Sequence, residues 1–322
     1  MRTDHVSGDM TAPTLWLIGA GPMAKAYAAV LDDLRVEYTV VGRGECSAAA
    51  FTSATGRAVR VGGVESALRE GGPPSLAIVA VSVDQLSDTA GALLDTGVSR
   101  ILLEKPGGLG SAELTVLRER AGSAEVSIAY NRRHYASTSE ARRLIQQDGG
   151  VVSFAFEVTE WPHAAEPVQV APAVRSRWFL AQSSHVVDLA FHLGGRPVDW
   201  TCHHEGSLPW HVESARFAGA GVTDSGATFG YHGDWEAPGR WGLDVLTRKH
   251  RLIFQPLEEL RVMDLGSLNA TVVDLDDSAD LEFKPGIHAQ TRSFLAGEDS
   301  VSCSLAEQVE NMVIYETMAG YR

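Results

Sequence analysis

The sequence predicts an α/β chain in two parts: a parallel sheet wound with helices on both faces, then an α+β part with a large, mostly antiparallel open sheet. Three observations predict it. The chain has 322 residues, more than one ordinary core organises, which favours two domains. Up to residue 131, short apolar runs alternate with helix-like stretches, the pattern of βαβ units. Beyond Gly149-Gly150 several strand-like runs follow one another without helices between them, the pattern of an antiparallel sheet.

In order along the chain, residues 1–12 lack the apolar stretch of a signal peptide and read as a disordered leader. Residues 13–131 read as a cofactor-binding domain. Its first strand, Leu15 to Ile18, runs into GAGPMA and a helix-like segment through about Leu34. In this G-x-G-x-x-A turn, Gly19 allows the tight bend, Gly21 lets the backbone approach a pyrophosphate, and small Ala24 lets helix and strand pack closely. Phosphate would rest on the amides at the helix N-terminus, so Gly19, Gly21, Pro22, Met23 and Ala24 are candidate cofactor residues of a Rossmann domain. The second strand, Tyr38 to Val41, ends in Gly42 and Arg43 where an NAD site usually has an acid. An Arg there accommodates a 2′-phosphate, which favours NADP; an Arg43 turned to solvent leaves NAD possible. Further strands are expected at Leu76 to Val81, Ser99 to Leu103 and Glu125 to Ala129, with Val81 on the cofactor side. The strand before residue 104 stops at Glu104-Lys105-Pro106. Ligands bind at the carboxyl ends of such strands, so Lys105 is a candidate for chemistry as well as ordinary punctuation.

Residues 132–322 read as the substrate and oligomerisation domain. After a helix-like Thr138 to Gln147, strands are expected at Val151 to Thr159, Glu213 to Ala218, Gly226 to Tyr231, Gly242 to Thr247 and His250 to Gln255. Gly286 to Phe294 and Ser304 to Gly320 read as helices. In SSHVVDLAFH, His185, Asp188 and His192 fall on one helical face. A metal site, hydrogen-bonded structural histidines and an acid/base histidine all fit that face; with no cysteine partner the metal reading is weakest, and no metal is expected.

Composition narrows the classes. A formal net charge of −14 disfavours nucleic acid and anionic membrane as partners. Cys46, Cys202 and Cys303 form no C-x-x-C pair, so neither a disulfide framework nor a zinc knuckle is suggested and a reducing cytoplasm fits. No segment approaches the roughly 18 uninterrupted apolar residues of a membrane helix.

With IGAGPMA (18 to 24), LLEKPGG (102 to 108), AYNRRHY (129 to 135), SSHVVDLAFHLGG (183 to 195) and EFKPGIHAQTRSFL (282 to 295) in this order, the chain resembles the family of glucose-fructose oxidoreductase, inositol dehydrogenase and MocA. The resemblance implies a Rossmann domain followed by an α+β domain whose open sheet often serves as a dimer face. It implies an NAD(P)-dependent oxidoreductase acting on a carbinol or ketone of a sugar, inositol or sugar nucleotide. It makes Lys105 catalytic, often with a cis bond to Pro106, and Glu104 a cofactor-side contact. It gives His185 the acid/base role, leaving Asp188 to support the helix and His192 to structure. Further lining is expected from Tyr130, Asn131, Trp161, Arg177, Trp178 and His288. Two departures stand out. Many members carry an Asp four residues before the histidine, where this chain has Ala181, and VAVSVDQL (79 to 86) replaces their Thr-Pro-Asn-x-x-His pattern. The loss at Ala181 keeps two alternatives open: a nucleotide-binding protein without turnover, and a redox-neutral enzyme with tightly held cofactor.

Overall fold

The computed structural model describes residues 14–165, 168–297 and 300–321; the expected leader lies outside them. The first six strands are β1 (Leu15–Ile18), β2 (Tyr38–Val41), β3 (Val59–Arg60), β4 (Leu76–Val79), β5 (Arg100–Glu104) and β6 (Glu125–Ala129). They pair in parallel in the order β6-β5-β4-β1-β2-β3. Every residue of β1 and β4 is buried, because helices cover both faces of a parallel sheet. Of these six, only the two-residue β3 escapes the sequence reading, being too short for periodicity to register; beyond them, the strands Pro197–Glu205, Arg261–Asp264, Thr271–Val272 and Cys303–Ser304 escape it too.

Eight strands form the second sheet: β7 (Ser153–Glu157), β8 (Pro197–Glu205), β9 (Arg216–Thr223), β10 (Thr228–Asp234), β11 (Gly242–Leu246), β12 (His250–Phe254), β13 (Arg261–Asp264) and β14 (Thr271–Val272). Their order is β14-β13-β12-β11-β7-β10-β9-β8, antiparallel except where β10 meets β7. The buried pattern of β10 alternates strictly, so one face packs inward. Phe154, Phe156, Phe229 and Tyr231 stack along that face, and Phe191 meets Phe154, Phe156 and Phe229 edge-on at 5.3–6.0 Å. Phe191 belongs to a buried helix, so the aromatic layer is what fixes that helix against the sheet.

The expected boundary at 131/132 falls just after β6, but the first sheet is completed from the far end of the chain. A last short strand, β15 (Cys303–Ser304), pairs antiparallel with β6. Three helices matter for the site: α1 (Pro22–Asp33), α2 (Ser184–Gly194) and α3 (Ile287–Ala296), the last lying against α1. The final helix, α4 (Leu305–Ala319), starts at a Ser304 cap whose hydroxyl accepts from the Glu307 amide. The residues after 286 thus fold back onto the first sheet, which a reading by linear texture could not show.

Candidate active site

The fingerprint turn is built as its residue types demand. Gly19 has φ +124°, and a Cβ there would lie 2.2 Å from the Ala80 carbonyl oxygen, so only glycine fits against the end of β4. A Cβ on Gly21 would meet nothing within 4 Å; the backbone there faces open space. Pro22 starts α1, no side chain caps the helix, and Ala24 is fully buried beneath it. The uncapped amides and the room above Gly21 suit a pyrophosphate.

Two cavities flank this turn. One of about 270 Å³ is lined by Gly19, Val41, Gly42, Arg43, Val81 and Gln85. With its amide oxygen turned toward Arg43, Gln85 accepts from both terminal guanidinium nitrogens at 3.0 Å. The other, about 440 Å³, is lined by Met23, Asp84, Glu104, Lys105, Trp178 and Ala181 among others, and shares Val81 and Gln85 with the first. Asp84 Oδ1 is buried there without a partner. Two joined cavities across a phosphate-ready turn, the second with a waiting acceptor, fit a dinucleotide with an amide-bearing end.

Lys105 follows β5, and its bond to Pro106 is cis. Glu104 is buried and accepts from the Tyr27 hydroxyl at 2.8 Å; burial raises its pKa, while the Lys105 charge and the Tyr27 bond oppose the rise. Lys105 Nζ donates to the backbone carbonyl of Ala181. Burial first, with Arg132 and Lys284 adding to it and Glu104 and Glu160 opposing, brings its pKa down to about 8.

Ala181 lies in a π-helical turn, Phe179–Ser183, that leads into α2. Such turns are uncommon and frequent at functional sites. Where a carboxylate was expected, this turn offers Lys105 a carbonyl instead. Two residues on, the Ser183 hydroxyl donates to Glu160 Oε1 at 2.7 Å. Glu160 is 7% exposed beyond the end of β7, and burial pushes its pKa up to about 7 against the pull of Ser183, Arg240 and Lys105.

His185 stands edge-on to Tyr130 at 6.1 Å and tilted to Trp241 at 6.2 Å, with Nδ1 buried and without a partner. Burial, then Arg132, Lys105 and Lys284, hold its pKa well below the usual imidazole range. The imidazole is therefore neutral at neutral pH, and Glu160 is the neighbouring group whose pKa lies near 7. Asp188 does more than support a helix. It takes two hydrogen bonds from Arg133, at 2.8 and 2.6 Å, in a fully buried pair that Arg133 extends to Glu307 at 2.7 Å. His192 is half-buried, and desolvation drives its pKa far down.

The remaining expected lining residues divide. Trp178 lines the larger cavity. Tyr130 backs His185 while its hydroxyl accepts from Gln308 Nε2 at 3.0 Å. Asn131 donates to the Pro285 carbonyl at 2.8 Å, which holds the turn before α3. Trp161 is 40% exposed, beneath the Arg240 guanidinium at 4.5 Å. Two others are engaged elsewhere. Arg177 lies over Tyr321 at 4.6 Å, and His288 stacks on Phe283 with Nε2 3.1 Å from Asp33, so a tertiary partner occupies each side chain. Sequence reasoning missed Glu160, Arg132, Trp241, Arg240 and Lys284. Arg132 and Glu160 stood beside residues that were singled out, but nothing in their spacing marked them.

These features define a class: two-domain α/β proteins that present a dinucleotide cradle to a second, antiparallel sheet domain. No family model matches the sequence, and no curated protein does. Solved structures of this fold include levoglucosan dehydrogenase in complex with NADH and L-sorbose, 16% identical over 96% of each chain with a TM-score of 0.79. UDP-N-acetylglucosamine 3-dehydrogenase from Acidithiobacillus ferrooxidans is 14% identical over 97% of this chain and 98% of that one, at 0.75. An oxidoreductase from Agrobacterium radiobacter in complex with NAD+, L-tartaric acid and magnesium is 13% identical over 95% of each, at 0.76. The likeness spans both domains and bears out the fold class predicted from the sequence.

Proposed function

We propose that this protein belongs to the family of glucose-fructose oxidoreductase, inositol dehydrogenase and MocA and is a nicotinamide-dependent dehydrogenase of sugar-like CH–OH groups. The observation that carries the reading is the position of Lys105 at the end of β5, on a cavity that shares Val81 and Gln85 with the one over the fingerprint turn. Two of the solved relatives by fold are named as dehydrogenases of a sugar and of a sugar nucleotide, which supports it.

The bound nicotinamide supplies the hydride acceptor or donor. In oxidation, the Lys105 ammonium donates to the reacting oxygen and stabilises its growing negative charge. Glu160 takes the hydroxyl proton, since its pKa of about 7 matches a base at neutral pH, and neutral His185 orients that hydroxyl through its free Nδ1. Reduction reverses these roles. Nicotinamide absorbance, followed in both directions over sugars, polyols, sugar acids and nucleotide sugars, is expected to find a turned-over substrate. Silence over the panel, with cofactor binding shown by calorimetry, would favour the reading without turnover.

NADP is the preferred cofactor in this proposal. Gln85 holds the Arg43 guanidinium at the rim of the smaller cavity, leaving N–H groups for a 2′-phosphate. Such charge-assisted bonds are worth about 1.5 to 3 kcal/mol, so a preference on the order of ten- to a hundred-fold in Kd is expected, and Arg43→Ala should remove most of it by weakening NADP alone. Equal or tighter NAD binding by the wild type would reassign the cofactor. Gly42→Asp is a poor companion test, because a Cβ there would sit 2.8 Å from Val59 Cγ1.

The same reading pairs two copies through the open face of the second sheet, where Gly219, Gly230 and Gly242 leave a concave surface of about 350 Å³ beside Glu157, His232 and Asp244. It places the reaction in the cytoplasm. Among the described residues no helix is long and apolar enough to cross a membrane.

A further inference from the structure

We infer that the substrate carries a carboxylate or phosphate group, bound by Arg132, Arg240 and Lys284 beside the reacting carbon. The inference rests on the dehydrogenase reading above and names the substrate class for its site.

Four cations lie around His185 and Glu160. Arg132, Lys105 and Lys284 all act on His185, and Arg240 and Lys105 act on Glu160. Lys105 has the Ala181 carbonyl and the reacting oxygen as partners. Among the described residues, none of Arg132, Arg240 and Lys284 has a carboxylate within ion-pair distance, although 14 more acids than Lys and Arg residues are present in the chain, as 41 − 27 shows. Two acids lie near Arg132, and both are engaged elsewhere: Glu160 accepts from Ser183, and Glu258 accepts from the Tyr135 hydroxyl at 3.3 Å.

The exposed Arg240 and Lys284 would need no explanation alone, since solvated surface cations are common. Arg132 does. The residue is half-buried, desolvation lowers its pKa, and its Nε is a buried donor without a partner. A buried donor left unpaired is costly and calls for an anion or a hydrogen-bonded ligand. One aromatic ring links these groups. The Arg132 guanidinium lies 5.0 Å from the Trp241 ring centre and that of Arg240 5.5 Å, while the same ring is 6.2 Å from His185. Trp241 is thus a ring shared by His185 and two guanidinium groups. A ring lying along it, hydroxyl toward His185, would put an acidic substituent within the guanidinium forks, which match oxyanions in a bidentate way.

The test is calorimetric titration of the enzyme loaded with reduced cofactor, so that binding is read without turnover. D-glucuronate and D-glucose 6-phosphate are compared with D-glucose and myo-inositol, at low and at physiological salt. The anionic ligands are expected to bind about ten- to a hundred-fold more tightly than the neutral ones. The stronger of the two tells carboxylate from phosphate. Arg132→Gln should erase most of that advantage and leave neutral ligands within about two-fold; Lys284→Gln and Arg240→Gln, at exposed positions, should each erase part of it and keep the test intact if the Arg132 variant does not fold. Neutral ligands binding as tightly as anionic ones, no binding of either anion, or equal loss for both classes in the variants would overturn the inference. Anion binding without hydride transfer would instead fault the dehydrogenase reading, and turnover of neutral sugars without an anion preference would fault only this one.

Discussion

Lys105→Ala is expected to lower kcat by roughly 10² to 10⁴ while leaving cofactor affinity within a few-fold. The size follows from where the charge sits. The ammonium donates to a neutral backbone carbonyl at Ala181, so its charge remains free to act on a substrate oxygen, and burial keeps water from screening it. The carbonyl also fixes the direction of the side chain before substrate arrives, which removes a reorganisation cost at the moment of reaction. Cofactor affinity should change little, because the contacts proposed for the dinucleotide lie on Gly21, the α1 amides, Arg43 and Asp84. One indirect effect is foreseeable: Lys105 helps hold the Glu104 pKa down, so the variant's Glu104 should protonate at higher pH. Steady-state kinetics and calorimetry on the same preparations separate the two. Unchanged turnover would take Lys105 out of the mechanism.

The residues that made Lys105 legible in the sequence were local ones. A strand of apolar residues, a charged pair and a proline state in a few positions where a sheet ends, and the glycines at 19 and 21 do the same for the cofactor turn. Local signals also located most strands, because a two-residue period or an apolar run is written in consecutive residues. What stayed hidden depends on contacts between distant segments. Glu160 joins the site through Ser183, 23 residues away, across a π-helical turn that no periodicity announces. Arg132 and Arg133 are adjacent, yet Arg133 is neutralised by Asp188 and Glu307 while Arg132 lies unpaired against Trp241. Arg177 and His288 show the same dependence in reverse: partners at Tyr321 and Asp33, supplied by the tertiary fold, engage them. Ala181 was read as a missing carboxylate; that its carbonyl takes Lys105 and that Glu160 lies across Ser183 became visible only with the backbone in place.

Glu160→Gln is expected to lower kcat for oxidation by roughly 10² to 10⁴, the range of a lost general base, and to change the shape of the pH profile as well as its height. In the wild type, kcat/KM should rise as Glu160 loses its proton near pH 7 and fall as Lys105 loses its own near pH 8, giving a narrow bell whose two apparent values belong to the interacting pair. Glutamine keeps the size of the side chain and an oxygen for the Ser183 hydroxyl, so packing is preserved and the proton acceptor alone is lost. The rising limb should disappear. The falling limb should move to lower pH, because the Glu160 charge is one of the groups holding the Lys105 pKa up. His185→Ala, by contrast, should reduce the rate and leave both limbs, since a neutral imidazole contributes no titration in this range. Ser183→Ala gives a signed check of a different kind. Its hydroxyl bond favours the ionised carboxylate, so removing it should raise the Glu160 pKa and carry the rising limb to higher pH. A glutamine variant that keeps the rising limb, or turns over within a few-fold of wild type, would show that the proton leaves by another route, with His185 Nδ1 the next acceptor to test.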